Sequence, residues 1–190
     1  MTKRKYLYSQ VVLTKESRDL VKHYARGVKP LLADDHCHHM TIQFGEVDGK
    51  TPEQTVRHLG ERVQLRIIGH VENENVQAFH VLLFGILGER TGAPVQYNLT
   101  PSRLGPWGER SLGTVNKYPH VTISTSKSGK PYESNKAFDD SAVRPNETDS
   151  TYTKVDGPVI TGTVTLVDTK GYVFDGNDEY APEQALEVFG

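Results

Sequence analysis

Apolar and polar side chains alternate along much of the chain, and a period of two predicts β-strands because successive strand side chains face opposite ways. Seven stretches carry this alternation or a continuous apolar run: residues 6–13, 38–44, 63–74, 77–87, 120–125, 157–168 and 170–174. Asn73, Glu74 and Asn75 are typical of a tight turn, so the third and fourth stretches predict a hairpin. The last two stretches predict a second hairpin.

Helical periodicity appears at fewer places. After Thr14 and Ser17, either of which can cap a helix, apolar residues recur at helical spacing: Leu20, Val21, Tyr24 and Val28. A proline near the start of residues 51–59 predicts another helix, because proline is favoured at the first helical position. Short helices are also predicted near residues 135–138 and from Pro182 onward.

Two long stretches show no clear period and predict loops. Residues 88–115 are rich in Gly and Pro, whereas residues 126–158 are rich in Ser, Thr, Asn and Asp. Irregular segments of this length often carry function. Strands joined by hairpins and a few helices predict an α+β fold with antiparallel sheets, and 190 residues suit a single domain.

The composition argues against a membrane protein and against a secreted, disulfide-linked one. No apolar run approaches the roughly 18 residues that span a membrane. The basic N-terminus is followed by a strand-like segment without the apolar stretch of a leader. Cys37 is the only cysteine, which excludes an internal disulfide and suits a reducing cytoplasm. We therefore expect a cytoplasmic protein with no membrane partner and no obligate protein partner.

The charge balance bears on the size of any nucleic-acid ligand. The formal net charge is −2. Proteins that hold long nucleic acids usually have a basic surface, because neutralising phosphates supplies most of the affinity. The balance therefore favours a small nucleotide or a short RNA end over a long duplex.

Two short strings repeat one pattern 81 residues apart: His39-Met40-Thr41-Ile42 and His120-Val121-Thr122-Ile123. On a strand, the histidine and threonine of each string share one face, and the apolar residues point to the other. If the two strands meet, one pocket holds two imidazoles and two hydroxyls. Imidazoles that face each other across a phosphate can act as general base and general acid, and hydroxyls can stabilise the phosphate oxygens.

The two strings resemble the repeated His-x-Thr-x signature of the 2H phosphoesterase superfamily, in which x is apolar. The resemblance implies a single two-lobed domain over residues 1–190. The implied bilobal fold has two antiparallel sheets around a central cleft, with flanking helices. The resemblance also implies a metal-independent phosphodiesterase without a cofactor, whose catalytic residues are His39, Thr41, His120 and Thr122. The Lys-Pro-Tyr-Glu-Ser-Asn segment at residues 130–135 also resembles RNA-repair-like branches and phage-encoded branches that degrade cyclic oligonucleotide signals.

Aromatic rings can stack on bases, and a lysine can pair with phosphate. Four further residues are therefore candidates for substrate binding: Trp107, Tyr118, Lys130 and Tyr132. Each is equally compatible with packing or with a solvated surface. His80 lies inside an apolar stretch and is interpreted as a hydrogen-bonded histidine of the core or sheet face.

The predicted substrate is a 2′,3′-cyclic phosphate or a 2′–5′ or 3′–5′ linked oligonucleotide, including cyclic oligonucleotides. Two alternatives stay open. The first is a non-catalytic module that binds a nucleotide or an RNA end. The second is a metal-dependent hydrolase that uses residues 34–39, whose Asp, His and Cys side chains suit transition metals. Adjacent strand residues face opposite ways, so we expect this cluster not to converge on one ion, with His36 and His38 at a loop or edge.

Overall fold

Ten strands and three helices lie in the part of the chain that the structure describes. The structure is a computed structural model, and it describes residues 6–47, 59–88, 118–143 and 147–188. In chain order the elements are β1 (Tyr6–Leu13), α1 (Lys15–Val28), β2 (Asp34–Asp35), β3 (His39–Val47), β4 (Arg62–Glu72), β5 (Val76–Gly88), β6 (His120–Thr125), α2 (Glu133–Val143), β7 (Thr151–Lys154), β8 (Val159–Asp168), β9 (Val173–Phe174), β10 (Glu179–Tyr180) and α3 (Pro182–Val188).

The strands form one antiparallel sheet that closes on itself. The order is β8-β1-β3-β6-β5-β4, and β4 pairs again with β8 over residues 62–66, which completes a ring of six strands. The second half of β4 pairs instead with β7, β9 and β10 extend the sheet beyond β8, and β2 pairs with the end of β6. The α+β class and the antiparallel pairing are confirmed. The described strands are joined into one continuous sheet, where two sheets were predicted.

Apolar side chains from all six ring strands form the main core, and Val21 and Ala25 of α1 pack against them. Alternation along each strand explains this core, because one residue in two points inward. The fully buried strand residues of this main core are Val11, Leu13, Met40, Ile42, Val63, Leu65, Ile67, Phe79, Val81, Val121, Ile123, Ile160 and Val164. The motif strands β3 and β6 are therefore anchored by their apolar residues.

The opposite face of the sheet carries two smaller apolar clusters, one under each of the remaining helices. Ala185 of α3 packs with Val12, Val167, Val173 and Tyr180. Ala137 and Phe138 of α2 pack with a second set, on β4 and β5: Val71, Val76 and Ala78. In the strand order, β3 and β6 lie between these two clusters. The polar faces of the motif strands thus line the space between α2 and α3.

Local signals explain several element ends. The Thr14 hydroxyl accepts a hydrogen bond of 3.1 Å from the backbone N–H of Ser17, so Thr14 is the N-cap of α1. The predicted hairpin of β4 and β5 is confirmed, and the side-chain oxygen of Asn73 accepts from the N–H groups of Asn75 and Val76 in its turn. The hairpin of β8 and β9 and the helix from Pro182 are also confirmed.

The predicted loop over residues 126–158 is wrong, because helix α2 and strand β7 lie within it. A short helix was expected near residues 135–138, but α2 has 11 residues. Its sequence is mostly polar, and only the small buried set around Phe138 marks its inner face. The helix predicted at residues 51–59 and the irregular segment at 88–115 lie almost wholly outside the described residues. None of the described helices is long and apolar enough to cross a membrane.

Candidate active site

The register between the two motif strands sets the geometry of the site. Met40 of β3 pairs with Val121 of β6 in antiparallel register. In such a pairing the preceding residue of one strand lies opposite the following residue of the other. Thr41 therefore lies across from His120. The backbone N–H of Cys37 donates to the Thr122 carbonyl oxygen at 2.9 Å, so the register shifts between Cys37 and Met40, where His39 lies.

A cavity of about 360 Å³ opens over these four side chains. All four residues predicted as catalytic line it. The complete lining comprises Tyr8, His36, His38, His39, Thr41, His120, Thr122, Pro131, Tyr132 and Asn135. The last three come from the start of α2 and the loop before it, so the cavity lies between the motif strands and this helix.

The imidazole of His120 is hydrogen-bonded to the backbone two residues before it. Its Nδ1 atom lies 2.7 Å from the backbone carbonyl oxygen of Tyr118, and a carbonyl can only accept, so Nδ1 carries the hydrogen. In the neutral ring this assigns the lone pair to Nε2. The residue is only 8% exposed. Burial lowers the pKa of His120 below its usual 6.5, and the hydrogen bond to Tyr118 acts in the opposite direction.

His39 is half-buried, beside the ring of Tyr8 at a centroid distance of 6.1 Å. Burial, followed by the positive charges of His38, His120 and His36, lowers the pKa of His39 to about 4. The repulsion between His39 and His120 means that the two rings resist carrying charge together. Acid–base catalysis by two imidazoles requires that one is protonated and the other is neutral.

The Thr122 hydroxyl is positioned by α2. It lies 3.0 Å from the hydroxyl of Ser134, which is fully buried, and 3.4 Å from the carbonyl oxygen of Pro131. Either hydroxyl can donate in the first contact. Thr41 occupies the corresponding place on β3 and lines the same cavity. Both threonines thus line the same cavity as the two imidazoles.

The four residues predicted to bind substrate lie at different places relative to the cavity. Tyr132 lines the cavity and is 74% exposed. Tyr118 does not line it: its ring stacks on Phe138 at 5.3 Å, behind His120. The exposed Lys130 is not among the lining residues, and its backbone N–H donates to the Glu133 carboxylate at 2.5 Å. Trp107 lies outside the described residues.

Several residues that line the cavity were not predicted from the sequence. Tyr8 comes from β1, the neighbour of β3, and only the strand order shows that it borders the site. His36 and His38 were expected at a loop or edge, but both line the cavity. The Nε2 atom of His36 lies 3.0 Å from the Thr125 hydroxyl. The Nδ1 atom of His38 is buried without a hydrogen-bond partner among the described residues. Their signal in the sequence was the run of histidines ahead of the first tetrad.

The cluster proposed as a metal site separates into individual contacts. The Asp35 carboxylate pairs with Lys22 at 3.0 Å, an attraction that lowers the pKa of Asp35. Cys37 has a positive φ of 58° and lies fully buried, with its sulfur 3.5 Å from the carbonyl oxygen of Ile123. Burial raises the pKa of this thiol to about 12, so it stays protonated. Within the described residues, no three His, Cys, Asp or Glu side chains are placed to hold a metal ion.

A second row of side chains supports His120 from the β5 side. His80 pairs with His120 across the sheet, and its Nδ1 atom lies 3.0 Å from the Tyr152 hydroxyl. Burial, followed by the nearby His120, lowers the pKa of His80 to about 4. Gly69 makes this contact possible, because a Cβ atom at this position would collide with the Tyr152 hydroxyl. His80 is thus a hydrogen-bonded histidine of the sheet face, as its sequence context indicated.

Comparison with known proteins gives a likeness in fold but none in sequence. No protein-family model matches the chain, and no curated protein matches it in sequence. A solved structure described as a fungal RNA kinase is similar in fold, with a TM-score of 0.56 and 12% sequence identity. The similarity covers 87% of this chain and 46% of that protein, so the chain spans about half the length of its structural neighbour. At this identity the match concerns the fold alone.

Proposed function

We propose that the protein is a metal-independent phosphodiesterase that cleaves a nucleotide phosphodiester by two-histidine acid–base catalysis. The observation that carries this proposal is the convergence of both tetrads on one cavity: His39, Thr41, His120 and Thr122. In the closed ring, β1, β3 and β8 lie on one side of the motif pairing and β4, β5 and β6 on the other, so each half of the ring contributes one tetrad. This arrangement agrees with the resemblance to the 2H phosphoesterases.

The reaction needs two proton transfers. A neutral imidazole takes a proton from water or from a ribose hydroxyl, whose oxygen then attacks phosphorus. A protonated imidazole donates its proton to the oxygen that leaves, so charge and protons balance. Each transfer contributes roughly 10²–10⁴ in rate. The hydroxyls of Thr41 and Thr122 donate hydrogen bonds to the non-bridging oxygens, where negative charge grows in the transition state.

The environments of the two rings suggest their roles. The pKa of His39 is lowered to about 4, which favours the neutral ring that a general base needs. His120 has a hydrogen bond from Nδ1 to the Tyr118 carbonyl, and this bond supports the positive ring. We therefore assign His39 as the base and His120 as the acid for attack, with the roles exchanged in the reverse direction.

The substrate class is a 2′,3′-cyclic phosphate or a 2′–5′ or 3′–5′ linked oligonucleotide, including cyclic oligonucleotides. The net charge of −2 supports a small or short substrate. The structural neighbour is described as an RNA kinase, and we therefore include RNA among the substrates to be tested. The single cysteine agrees with a cytoplasmic location.

A panel of phosphodiesters tests the proposal directly. The purified protein is incubated without added metal with 2′,3′-cyclic nucleotides, 2′–5′ and 3′–5′ dinucleotides and cyclic di- and trinucleotides, and the products are separated by chromatography. We expect cleavage of at least one class, and no cleavage by the double variant His39→Ala/His120→Ala. Tight binding of a nucleotide by the wild-type protein without turnover of any substrate would favour the non-catalytic binding module instead.

A further inference from the structure

A second cavity of about 240 Å³ adjoins the first on the side of α3. Three residues line both cavities, namely Tyr8, His38 and His39. The remaining wall of the second cavity consists of Gln10, Val12, Val167, Gly171, Val173, Pro182 and Ala185. The two cavities are therefore neighbours, with His39 at their shared boundary.

The strand register explains why the second cavity lies beside the motif. In the pairing of β1 with β3, Val12 lies opposite His39 and Gln10 lies opposite Thr41. Since paired residues share a face of the sheet, these two side chains lie on the same face as His39 and Thr41. Ala185 of α3 and Val173 of β9 belong to the apolar cluster that contains Val12, and they close the far end.

The chemistry of this wall suits one nucleoside. Aliphatic side chains offer flat apolar contact to the faces of a base, and Tyr8 adds an aromatic ring at the shared boundary. The buried Gln10 amide has both donor and acceptor atoms, as the edge of a base requires. Ligand pockets usually enclose about 300–1,000 Å³, and the second cavity is too small to be one by itself. It is better suited to be one half of a two-part site.

We propose that the second cavity binds the nucleoside on one side of the scissile phosphate, so that the enzyme acts on phosphodiesters that bridge two nucleosides. This inference rests on the proposed function and narrows its substrate class. The phosphate lies at the shared boundary beside His39, one nucleoside enters the cavity under α3, and the other extends across the first cavity toward the exposed ring of Tyr132. A 2′,3′-cyclic mononucleotide would occupy only the first cavity.

Filling the second cavity tests this assignment. Ala185→Leu adds three carbons to the wall from α3, and Val173→Met narrows the cavity from β9 in case the first variant does not fold. Gln184→Leu is the matched control, because it places the same side chain on the same helix at an exposed position. Melting temperatures establish that each variant is folded. KM and kcat are then compared for a dinucleotide and for a 2′,3′-cyclic mononucleotide.

We expect either filling variant to raise KM for the dinucleotide by about 10- to 100-fold, the effect of losing one stacked base. KM for the cyclic mononucleotide should change less than about twofold, and the control should leave both constants at their wild-type values. Folded filling variants that cleave the dinucleotide normally would overturn the subsite and leave the proposed function intact. Equal losses on both substrates would also overturn it.

Binding separates this inference from the proposed function. In a His120→Ala background, titration calorimetry measures the affinity for the dinucleotide with and without Ala185→Leu. A loss of affinity on filling the cavity supports the subsite even if wild-type turnover is absent. Unchanged affinity rejects the subsite whether or not the wild-type protein cleaves the dinucleotide.

Discussion

Met40 and Val121 form the single register pair between β3 and β6 in the described residues. Both side chains are fully buried in the main core. This apolar contact ties the two tetrads together, although they lie 81 residues apart in the chain. The cavity opens over the polar face of the same two strands. The predicted chemistry thus depends on two residues that take no part in it.

The first prediction concerns the two imidazoles. His39→Ala and His120→Ala should each lower turnover of a good substrate by roughly 10²–10⁴, because each removes one proton-transfer group. Steady-state kinetics on the best substrate of the panel measures the effect. His23→Ala is the control, since His23 is exposed on α1. Near-wild-type turnover in either motif variant, with the control also active, would rule out the two-histidine assignment.

The second prediction concerns the hydroxyls. Thr41→Ala and Thr122→Ala should lower turnover by roughly 10- to 1000-fold, because each removes one hydrogen bond to the developing charge. Ser134→Ala should have a smaller effect, since Ser134 contacts Thr122 and acts only through it. Thr153→Ala, at an exposed position of β7, is the matched control. A loss in Ser134→Ala as large as that in Thr122→Ala would contradict this order.

The third prediction concerns pH. Catalysis needs one neutral and one protonated imidazole, and the pKa of His39 is about 4 while burial also lowers that of His120. As pH rises through the higher of the two pKa values, the protonated ring is lost. kcat/KM, which reports the free enzyme, should therefore peak below the usual histidine value of about 6.5 and decline toward pH 9. The bound phosphate anion raises imidazole pKa values, so the kcat profile should lie at higher pH.

Rates measured from pH 4 to 9 on wild-type protein and on His23→Ala test this profile, and the two should agree. A rate that stays constant from pH 5 to 9 would mean that imidazole titration does not limit the reaction. A maximum of kcat/KM above pH 8 would likewise exclude the assignment of both lowered pKa values to the catalytic pair.

The fourth prediction concerns metal. Activity should survive a chelator such as EDTA, because the proposed acid and base are imidazoles and the 34–39 cluster makes separate contacts to Lys22, Thr125 and the Ile123 carbonyl. Turnover is measured after chelation and again after adding zinc or manganese. Activity that disappears with EDTA and returns with either metal would support the metal-dependent alternative. Asp35→Asn then identifies whether that cluster is involved.

The fifth prediction concerns the support behind His120. Gly69→Ala should displace Tyr152, because the new Cβ collides with its hydroxyl, and should cost about 1–3 kcal/mol of unfolding free energy. Tyr152→Phe removes the hydrogen bond to His80 without a collision and should cost about 1 kcal/mol. Urea denaturation measures both values. Gly27→Ala is the control: nothing lies within 4 Å of its added Cβ, so no loss of stability is expected.

The sequence alone was sufficient to locate the motif strands and to assign their faces. Alternation has a period of two on any strand, so the burial of Met40, Ile42, Val121 and Ile123 followed from their positions. The β4–β5 hairpin and the capped helix α1 were also predicted, because their signals are local. Helix α2 was underestimated because its buried residues are few, and its packing against β4 and β5 supplies most of its stabilisation.

Only the tertiary structure decided which residues share the cavity. Strand order and register depend on contacts between distant segments, and no local pattern specifies that β1 borders β3 or that Met40 pairs with Val121. Tyr8 and His38 therefore line the cavity although the sequence did not predict it. Tyr118 does not line the cavity; its backbone carbonyl accepts a hydrogen bond from His120. The sequence determined which acid–base and hydrogen-bonding groups are present, because these depend on residue type. The fold determined which of these groups lie together in one cavity, because their positions depend on long-range packing.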